Sequence, residues 1–417
     1  MTAHRTSLAK PATDLIEEAR AHVGARALTP STLGAVGLEL EFHLVDLRRP
    51  ARRLPWEKIT ALIEAIPPLP EGSRVSVEPG GQIELSTPPG PGVAAAVLAL
   101  RRDQRVLAQT VRKAGVGLAS IGSDLARPVR RVSPAGRYIA MERHFDALGC
   151  GPSGRAMMAS TAALQVNVEA GPRSGWSDRV NRIQRLGPVL VAMSACSPLL
   201  AGHASGWQSM RQQVWSGIDP ERCRPLPATA DPVGAWVSYV LSAPVMLVRN
   251  QRDGSADPVT GRVPYAAWAG GSGRLGRAPT LEDLDYHLST LFPPLRPRGY
   301  LEIRYLDALP NRWWPALAAL AVTLIDDEVA ADRAAELCEP VADAWMPAAR
   351  DGLRDPKLLA AARGCVDVAA RRCPPELRPD VEAYAEMVTR GRSPGDELRE
   401  RVSSSNPLAV LEEEAHA

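Results

Sequence analysis

Two glutamates stand one residue apart in the apolar segment GLELEF, at Glu39 and Glu41. Strict alternation from Val36 to Asp46 predicts a β-strand with leucines on one face and both glutamates on the other. Side chains two residues apart on a strand are separated by about 6.6–7 Å. Glu39 and Glu41 are therefore expected to point into the same space, with His43 next on that face.

Three later segments repeat this arrangement of aliphatic side chains on one face and carboxylate or amide side chains on the other. Besides the strand at 36–46, the alternation predicts strands at 80–87, 162–170 and 300–307. The polar faces of these three strands carry Gln82, Glu84, Ser86, Gln165, Asn167, Glu169, Glu302 and Arg304.

A solvated sheet face would explain any one of these strands, because antiparallel sheets often have one wet face. Solvent faces usually carry Thr, Lys, Arg and Ser, whereas these carry mainly Glu, Gln and Asn. Gathering several carboxylates in a cleft is costly unless counter-charge is present. Hard divalent cations supply that charge and take oxygen ligands from these residue types. We therefore interpret the polar faces as a site for Mg²⁺ or Mn²⁺ that also binds the phosphates of ATP.

Two further side chains on these faces have alternative interpretations. Arg304 is placed to bind phosphate oxygens with its guanidinium fork, but an ion pair with Glu302 would also explain it. His43 could act as a base, although a histidine in such a position is more often a structural hydrogen-bonding group.

The composition narrows the class of protein. The chain has 417 residues and a net charge of +2 from 49 basic and 47 acidic side chains, which does not favour nucleic acid as a partner. Six cysteines without CxxC spacing predict neither a structural zinc site nor a disulfide framework. The N-terminus has no signal-peptide pattern, and the most apolar windows are too short to span a membrane. We expect a cytoplasmic protein; the sequence does not give the oligomeric state, and we favour a monomer.

Segments with helical periodicity lie between and after the predicted strands, which indicates an α+β or α/β domain built on one sheet. Motifs of other nucleotide-binding sites are not supported. GSGRLG at 271–276 fits the dinucleotide-binding pattern, but it follows a poor strand and precedes no helix, and the P-loop pattern is absent from the sequence. The tail after 400 is expected to be poorly ordered at its end. Helices are predicted at 93–115, 176–196, 232–242, 315–332, 335–346, 355–372 and 376–390.

Several motifs, taken together and in order, resemble the second family of glutamate–cysteine ligases, which has plant and bacterial members. Length and details are most similar to the actinobacterial members that make γ-glutamylcysteine for ergothioneine synthesis. The resemblance covers roughly residues 30 to 330. Its motifs are GLELEF (37–42), EPGGQIELSTP (78–88), GRY with Met141 (136–141), MMASTAALQVNVE (157–169), SPLLAGHASGWQSMRQQVW (197–215), DPER (219–222) and GYLEIRYLDALP (299–310).

The resemblance implies a glutamine-synthetase-like fold of the α+β class, in which a curved, mainly antiparallel sheet forms a funnel with helices outside. It implies one catalytic domain over 1–417 with a mostly helical part from about 315. The implied ligands are ATP, Mg²⁺ (or Mn²⁺), L-glutamate and L-cysteine. The implied reaction is ATP-dependent formation of γ-glutamylcysteine through γ-glutamyl phosphate.

The resemblance also implies roles for individual residues. Arg304 corresponds to a phosphate-contacting arginine and, with Glu84 and Glu302, to the catalytic group. Arg222, Asn167 and Thr161 correspond to substrate-binding positions. The family metal ligands fall on Glu39, Glu41, Glu84, Gln165 and Glu302.

One position departs from the plant pattern. Plant-type members carry Arg before the Thr that matches Thr161, whereas Ser160 stands here. The group that holds the glutamate α-carboxylate is therefore not assigned by the resemblance. Three rival functions stay open: a related carboxylate–amine ligase with another substrate, a metal-dependent hydrolase using the same carboxylates, and a non-catalytic interaction protein that docks through the helical C-terminal part.

Overall fold

The computed structural model describes residues 12–250, 253–271, 273 and 275–417. The first eleven residues and part of the GSGRLG segment, on which two of the expectations above depend, lie outside the described residues. The strands are β1 (Ala35–Asp46), β2 (Arg74–Val77), β3 (Ile83–Ser86), β4 (Gly90–Pro91), β5 (Val116–Ala119), β6 (Ala163–Val168), β7 (Leu199–Leu200), β8 (His203–Ala204), β9 (Leu247–Arg249), β10 (Ala256–Pro258), β11 (Leu295–Pro297) and β12 (Leu301–Asp307).

Helices precede, separate and follow these strands. They are α1 (Ala12–Ala27), α2 (Trp56–Glu64), α3 (Val93–Lys113), α4 (Gly136–Ala147), α5 (Gly151–Ser160), α6 (Trp176–Ser194), α7 (Met210–Ser216), α8 (Pro220–Cys223), α9 (Pro232–Ser242), α10 (Tyr265–Ala269), α11 (Leu281–Leu288), α12 (Trp314–Asp326), α13 (Glu328–Cys338), α14 (Trp345–Asp351), α15 (Pro356–Arg372), α16 (Arg378–Thr389), α17 (Pro394–Ser404) and α18 (Pro407–His416).

One eight-stranded sheet contains all four predicted strands. Its order is β11–β12–β6–β1–β3–β2, and β4 and β5 also pair with β1. Each of these pairings is antiparallel. The α+β class and the mainly antiparallel sheet predicted from the sequence are confirmed, and the sheet stays open at its edges.

The register of the sheet brings the polar side chains of neighbouring strands together. Glu39 on β1 lies opposite Gln165 on β6, and Glu41 lies opposite Glu84 on β3. Glu302 on β12 lies opposite Asn167 on β6. Cross-strand partners point to the same side of a sheet, so these residues share one face.

The other face of the sheet is apolar and forms the core. Leu38, Leu40 and Phe42 of β1 are fully buried, as are Val166 of β6 and Ile303 of β12. Helices α3, α6 and α12 pack against β1, β12 and β6 on the described part of the chain. Burial of these aliphatic side chains stabilises the sheet and fixes which face carries the glutamates, because a one-residue slip would exchange the two faces.

The C-terminal helices differ from the prediction in two places. The predicted helix at 315–332 is divided at Asp327, whose side chain accepts a hydrogen bond from the Ala330 N–H and begins α13. The helix predicted at 335–346 is replaced by the end of α13, a short turn and α14. The other predicted helices agree within two residues at each end.

The expectation of a poorly ordered tail is wrong. The tail forms α17 and α18, and Val410 and Leu411 are fully buried. Helix α18 packs so closely on β5 that a Cβ atom at Gly117 would lie 2.2 Å from the Ala415 carbonyl oxygen. The apolar residues of α18 contribute to the core, which a sequence window dominated by Glu and Ser did not indicate.

Candidate active site

The polar face of the sheet forms the floor of a cleft with a volume of about 290 Å³. Its walls come from the turn after β2, from α4, α5 and α7, and from the segment before β11. All five predicted metal ligands line the cleft: four lie on strands β1, β3 and β6, and the fifth lies on β12. The predicted site residues in the lining are Glu39, Glu41, Glu84, Thr161, Gln165, Glu302 and Arg304.

Three cleft carboxylates receive hydrogen bonds mainly from uncharged groups. Asn167 Nδ2 donates to Glu39 at 2.9 Å, and the backbone N–H of Ala163 donates to Glu41 at 3.0 Å. Ser76 and Ser86 donate to Glu84 at 2.9 and 3.2 Å. In the described structure these carboxylates have no salt bridge within 4.0 Å. Their charges are therefore only partly balanced by the protein.

This environment raises the pKa values of the same carboxyl groups. Burial, followed by the charges of Glu84 and Glu302, raises the pKa of Glu39 to about 7. Burial and neighbouring carboxylates also raise the pKa of Glu41 well above its usual range and the pKa of Glu84. The negative charge gathered here would be stabilised by a bound cation.

Glu302 lies in the opposite electrostatic environment. Its side chain is 1% exposed and contacts Arg296, Arg298 at 3.4 Å and Arg304 at 3.3 Å. Burial alone would raise the pKa of Glu302, but Arg304 and Arg296 lower it to about 2. The ion pair between Arg304 and Glu302, which was the alternative interpretation of Arg304, is thus present. Arg304 also donates to Gln165 Oε1 at 2.8 Å and lines the cleft.

The donor set of the cleft fits a hard divalent cation by its chemistry. Its groups are carboxylate and amide oxygens, the ligands that Mg²⁺ and Mn²⁺ prefer. Within the described ranges, no three His, Cys, Asp or Glu side chains already stand at metal-binding distances from a common point. The side chains of Glu39, Glu41 and Glu84 therefore share the cleft without forming a closed cage.

The predicted substrate-binding residues take three different positions. Thr161 lines the cleft and its hydroxyl donates to the Met157 carbonyl at 2.8 Å. Asn167 lies beneath Glu39 rather than in the lining. Arg222 is fully buried outside the lining, and its guanidinium donates to the carbonyls of Pro244 and Thr290. The structure does not bring Arg222 into the cleft.

Ser160 and His43 lie behind the cleft. Ser160 is fully buried, and its hydroxyl accepts a hydrogen bond from Arg53 Nη2 at 2.9 Å. His43 follows Glu39 and Glu41 in the alternation, but it lies beside Arg53 and Arg127 outside the cleft lining. Burial lowers the pKa of His43 to about 4, so its imidazole is neutral at pH 7.

Sequence reasoning missed five charged residues that line the cleft: Glu78, Arg137, Arg211, Arg296 and Arg298. Glu78 continues the polar face of β2 two residues after Ser76, and a turn closed by Gly81 (φ 86°) holds it there. Arg296 lies opposite Glu302 on β11, a strand of three residues that is too short to show alternation. Arg211 is on α7. Three of them had a usable signal, since Glu78, Arg137 and Arg211 belong to the motifs EPGGQIELSTP, GRY and SPLLAGHASGWQSMRQQVW.

The match to a known family decides the identity of this site. Residues 35–416 match the model of glutamate–cysteine ligase family 2. The chain belongs to this family. The matched region includes every strand of the sheet and every residue of the cleft, so the site described above is the site of a family 2 ligase fold.

Similar sequences include bacterial and plant members of glutamate–cysteine ligase family 2. The chain is 49% identical over 400 residues to glutamate–cysteine ligase EgtA of Mycolicibacterium smegmatis, covering 95% of this chain and 94% of that protein. It is 48% identical over 410 residues to EgtA of Mycobacterium tuberculosis, covering 96% and 95%. A chloroplastic glutamate–cysteine ligase of Arabidopsis thaliana is 30% identical over 312 residues, covering 73% of this chain and 58% of that protein.

A solved structure shows the same fold at low sequence identity. The crystal structure of glutamate–cysteine ligase from Francisella tularensis in complex with AMP matches with a TM-score of 0.59 and 13% identity. The match covers 93% of this chain and 88% of the other. At this identity the likeness supports the fold alone. No described helix is both long enough and apolar enough to cross a membrane.

Proposed function

We propose that this protein joins the γ-carboxylate of L-glutamate to the amine of L-cysteine and uses ATP, giving γ-glutamylcysteine, ADP and phosphate. The observation that carries the proposal is the cleft of this family 2 chain, where partly uncompensated carboxylates lie beside a cluster of arginines. Such a site can hold a nucleotide's phosphates together with a small acid.

The chemistry has to overcome the poor reactivity of a carboxylate towards an amine. In the first step, an oxygen of the glutamate γ-carboxylate bonds to the γ-phosphorus of ATP while the bond from that phosphorus to the β–γ bridging oxygen breaks. ADP leaves and γ-glutamyl phosphate forms. The cysteine nitrogen then bonds to the acyl carbon, the carbon–oxygen bond to phosphate breaks, and the amine releases a proton.

Arg304 has the position required of a phosphate-binding group. Its side chain is 14% exposed at the cleft, and Glu302 and Gln165 both contact its Nη1. Arg296 and Arg298 lie next to it through the same carboxylate. Together they would stabilise charge on the transferring group, and because they are already held in place, little reorganisation is needed.

Glu39, Glu41, Glu84 and Gln165 would hold Mg²⁺, with Mn²⁺ as the alternative, and Glu302 completes the ligand set that we propose. A bound divalent cation would neutralise charge on the phosphate oxygens. The serine and asparagine donors around these glutamates restrict their rotamers and keep their oxygens at the cleft. Three arginines contact Glu302, so one of them shifts in this proposal to free a carboxylate oxygen for the cation.

The proposed substrate-binding residues act at different distances from the cleft. Thr161 is in direct reach, while Asn167 would act by orienting Glu39. Arg222 is a positioning residue: it holds Thr290, and its carbonyl accepts the N–H of Phe292 at 2.8 Å. Phe292 and Ser289 of that segment line the cleft.

The decisive experiment measures ADP release by the purified protein with glutamate alone, with cysteine alone and with both. Release that needs both amino acids supports the proposal, whereas full release with another amine in place of cysteine favours a related ligase. Hydrolysis of a substrate without ATP would favour the metal-dependent hydrolase and overturn the proposal.

We propose that residues 1–417 act as one catalytic domain and as a monomer in the cytoplasm; size-exclusion chromatography with light scattering tests the assembly state. The packing of α12 on β6 and α18 on β5 supports one domain. We also propose that the product enters ergothioneine synthesis, supported by the similarity to the two mycobacterial EgtA ligases. Loss of ergothioneine in a deletion strain tests it.

A further inference from the structure

Two arginines behind the cleft share one buried carboxylate. Asp124 Oδ2 lies 2.9 Å from Arg127 Nε and 2.9 Å from Arg53 Nη2. The side chains of Asp124, Arg127 and Arg53 are 0%, 2% and 8% exposed. One guanidinium balances one carboxylate, so the second buried arginine leaves an excess of positive charge that is costly to desolvate. The presence of this second arginine needs an explanation beyond the ion pair.

Arg127 is the arginine that serves Asp124 alone. Its backbone N–H and its Nε donate to the two carboxylate oxygens of Asp124, each at 2.9 Å. Its Nη1 donates to the Leu44 carbonyl at 2.6 Å, at the far end of β1 from Glu39. Arg127 therefore balances the charge of Asp124, and its side-chain hydrogen bonds in the described structure reach no residue that lines the cleft.

Arg53 makes further contacts, with the backs of two segments of the cleft wall. Its Nη2 donates to Ser160 Oγ at 2.9 Å, and its Nη1 lies 3.5 Å from the Gly80 carbonyl oxygen. Its Nε donates to the Pro128 carbonyl at 3.1 Å. Burial lowers the pKa of Arg53 to about 10, so the side chain is still charged at pH 7. A charged donor that bridges two segments restricts their relative movement.

The two bridged segments are residues 78–82 and residues 159–161, and they also touch each other. Gln82 Nε2 donates to the Thr161 carbonyl at 2.9 Å. A Cβ atom at Gly80 would lie 2.2 Å from the Ala159 carbonyl oxygen, so the backbones pass without a gap. Glu78 and Gln82 of the first segment and Thr161 of the second line the cleft. A shift of either segment would therefore move groups that face a substrate.

This wall and the arginines around Glu302 belong to different parts of the cleft. The sheet order puts β2 and β3, which flank residues 78–82, at one edge and β11 and β12 at the other. Arginines suit a polyphosphate at the β11–β12 edge. Met157 and Met158 precede the second wall segment and line the cleft, and such apolar side chains suit the carbon chain of a small amino acid.

We propose that Arg53 is a positioning residue, which holds residues 78–82 and 159–161 together so that the cleft binds its amino-acid substrates. This inference rests on the proposed function. It also explains the serine at position 160, where plant-type members carry Arg. The Ser160 hydroxyl is the acceptor that Arg53 uses, whereas an arginine in this buried place would repel Arg53 and Arg127.

The test compares Arg53→Gln, Arg53→Lys and Ser160→Ala with the wild type. ADP release gives kcat and the KM for glutamate, for cysteine and for ATP. Hydrogen–deuterium exchange followed by mass spectrometry reports the protection of the amides in residues 78–82 and 159–161 without any substrate. Thermal unfolding shows whether each variant is folded.

We expect Arg53→Gln to raise the KM for at least one of the two amino acids by roughly tenfold, the scale for losing a hydrogen bond to a charged group, while the KM for ATP changes by less than about twofold. Amide exchange should become faster in both wall segments. Arg53→Lys keeps the charge but not the fork, so it restores part of the affinity. Ser160→Ala should change the KM values in the same direction by less.

Arg127→Gln is the matched control. It makes the same change of side chain and loses a contact with the same carboxylate, but it leaves the bonds from Arg53 to Ser160 and Pro128 in place. We expect a lower Tm with unchanged KM values and unchanged amide exchange in residues 78–82 and 159–161.

Two results would overturn the inference. In the first, Arg53→Gln and Arg127→Gln lower the Tm alike and leave every KM unchanged, so that Arg53 only balances Asp124. In the second, the KM for ATP rises as much as the KM for the amino acids, so that the wall serves the whole cleft. If Arg53→Gln does not fold, Ser160→Ala keeps both ion pairs and decides by the same criteria.

Failure of the proposed function would be seen separately. ADP release by the wild type without glutamate and cysteine would overturn the proposed function before any variant is compared. The exchange measurement needs no turnover, so it shows in either case whether Arg53 holds the two wall segments. Equal exchange in the wild type and Arg53→Gln would overturn the positioning role.

Discussion

Two groups of carboxylates share one face of the sheet, and the protein treats their charges differently. Glu302 contacts three arginines, which hold its pKa at about 2. Glu39, Glu41 and Glu84 receive hydrogen bonds mainly from serine, asparagine and backbone donors, and burial raises their pKa values. The comparison teaches that the chain supplies its own counter-charge on β12 and none in direct contact on β1 and β3, where we propose that a bound cation supplies it.

Glu302 should therefore raise the free energy of unfolding, whereas the glutamates on β1 and β3 should lower it. The ion pairs of Glu302 hold β11 and β12 together through Arg296, its partner in register. The glutamates on β1 and β3 repel each other in the absence of a cation. Tertiary packing on the apolar face of the sheet has to offset that repulsion.

Glu302→Gln should produce the largest combined effect. We expect the free energy of unfolding to fall by about 3 kcal/mol, because the largely buried Arg296 and Arg304 and the half-exposed Arg298 lose their common partner. Turnover should fall at least roughly a hundredfold, the scale for one strong electrostatic contact. Urea unfolding and ADP release measure the two effects, and unchanged stability would contradict the ion-pair account.

Glu84→Gln should lower turnover at least roughly a hundredfold while leaving the protein folded. Because Glu84 adds to the repulsion at Glu39 and Glu41, its neutralisation should raise the Tm of the protein without divalent cations. Differential scanning calorimetry in the presence of a chelator measures the Tm of Glu84→Gln, of Glu302→Gln and of the wild type. Normal turnover in both variants would refute the metal assignment.

Divalent cations should stabilise the wild type even without nucleotide. At a concentration of about a hundred times the dissociation constant, binding adds about 2.7 kcal/mol to the free energy of unfolding. The increase should be much smaller in Glu84→Gln, because that variant lacks one proposed ligand. Tm values measured across a series of Mn²⁺ concentrations check this, and equal increases in both proteins would place the cation elsewhere.

Asp124 lies outside the cleft and, like Glu302, is a buried carboxylate whose charge is balanced by arginines, so it provides a comparison with Glu302. It is fully buried; burial opposes ionisation, but Arg127 and Arg53 lower the pKa of Asp124 to about 2. Its contribution to stability is present above pH 3.8 and is lost as the pH falls through about 2, an effect of about 2 kcal/mol. Asp124→Asn should therefore lower stability at pH 7 and reduce the loss on acidification, as acid titration of unfolding will show.

The strand predictions succeeded where alternation was long. β1 has twelve residues, and its prediction at 36–46 differs from Ala35–Asp46 by one. The strand predicted at 80–87 is only Ile83–Ser86, because Gly81 adopts a positive φ and turns the preceding residues into the cleft wall. Local patterns identify a strand but not the point at which a turn begins.

The sequence could not place a site residue whose position depends on distant neighbours. Arg222 carries the motif of a substrate-binding residue, yet backbone carbonyls of residues 244 and 290 take its guanidinium. Arg211 belongs to the motif SPLLAGHASGWQSMRQQVW, but one arginine among 45 on a seven-residue helix shows nothing of its contacts. No spacing in the sequence shows which arginines contact Glu302 and which do not.

The sequence by itself determined the family, the alternation of β1, β6 and β12, and which glutamates share a face, because side-chain direction in a strand follows from a period of two. Only the tertiary structure decided which of those glutamates are neutralised. That outcome depends on antiparallel register, which places Arg296 opposite Glu302 and Glu84 opposite Glu41. Charge interactions act through distance and burial, and both are set by packing between segments far apart in the chain.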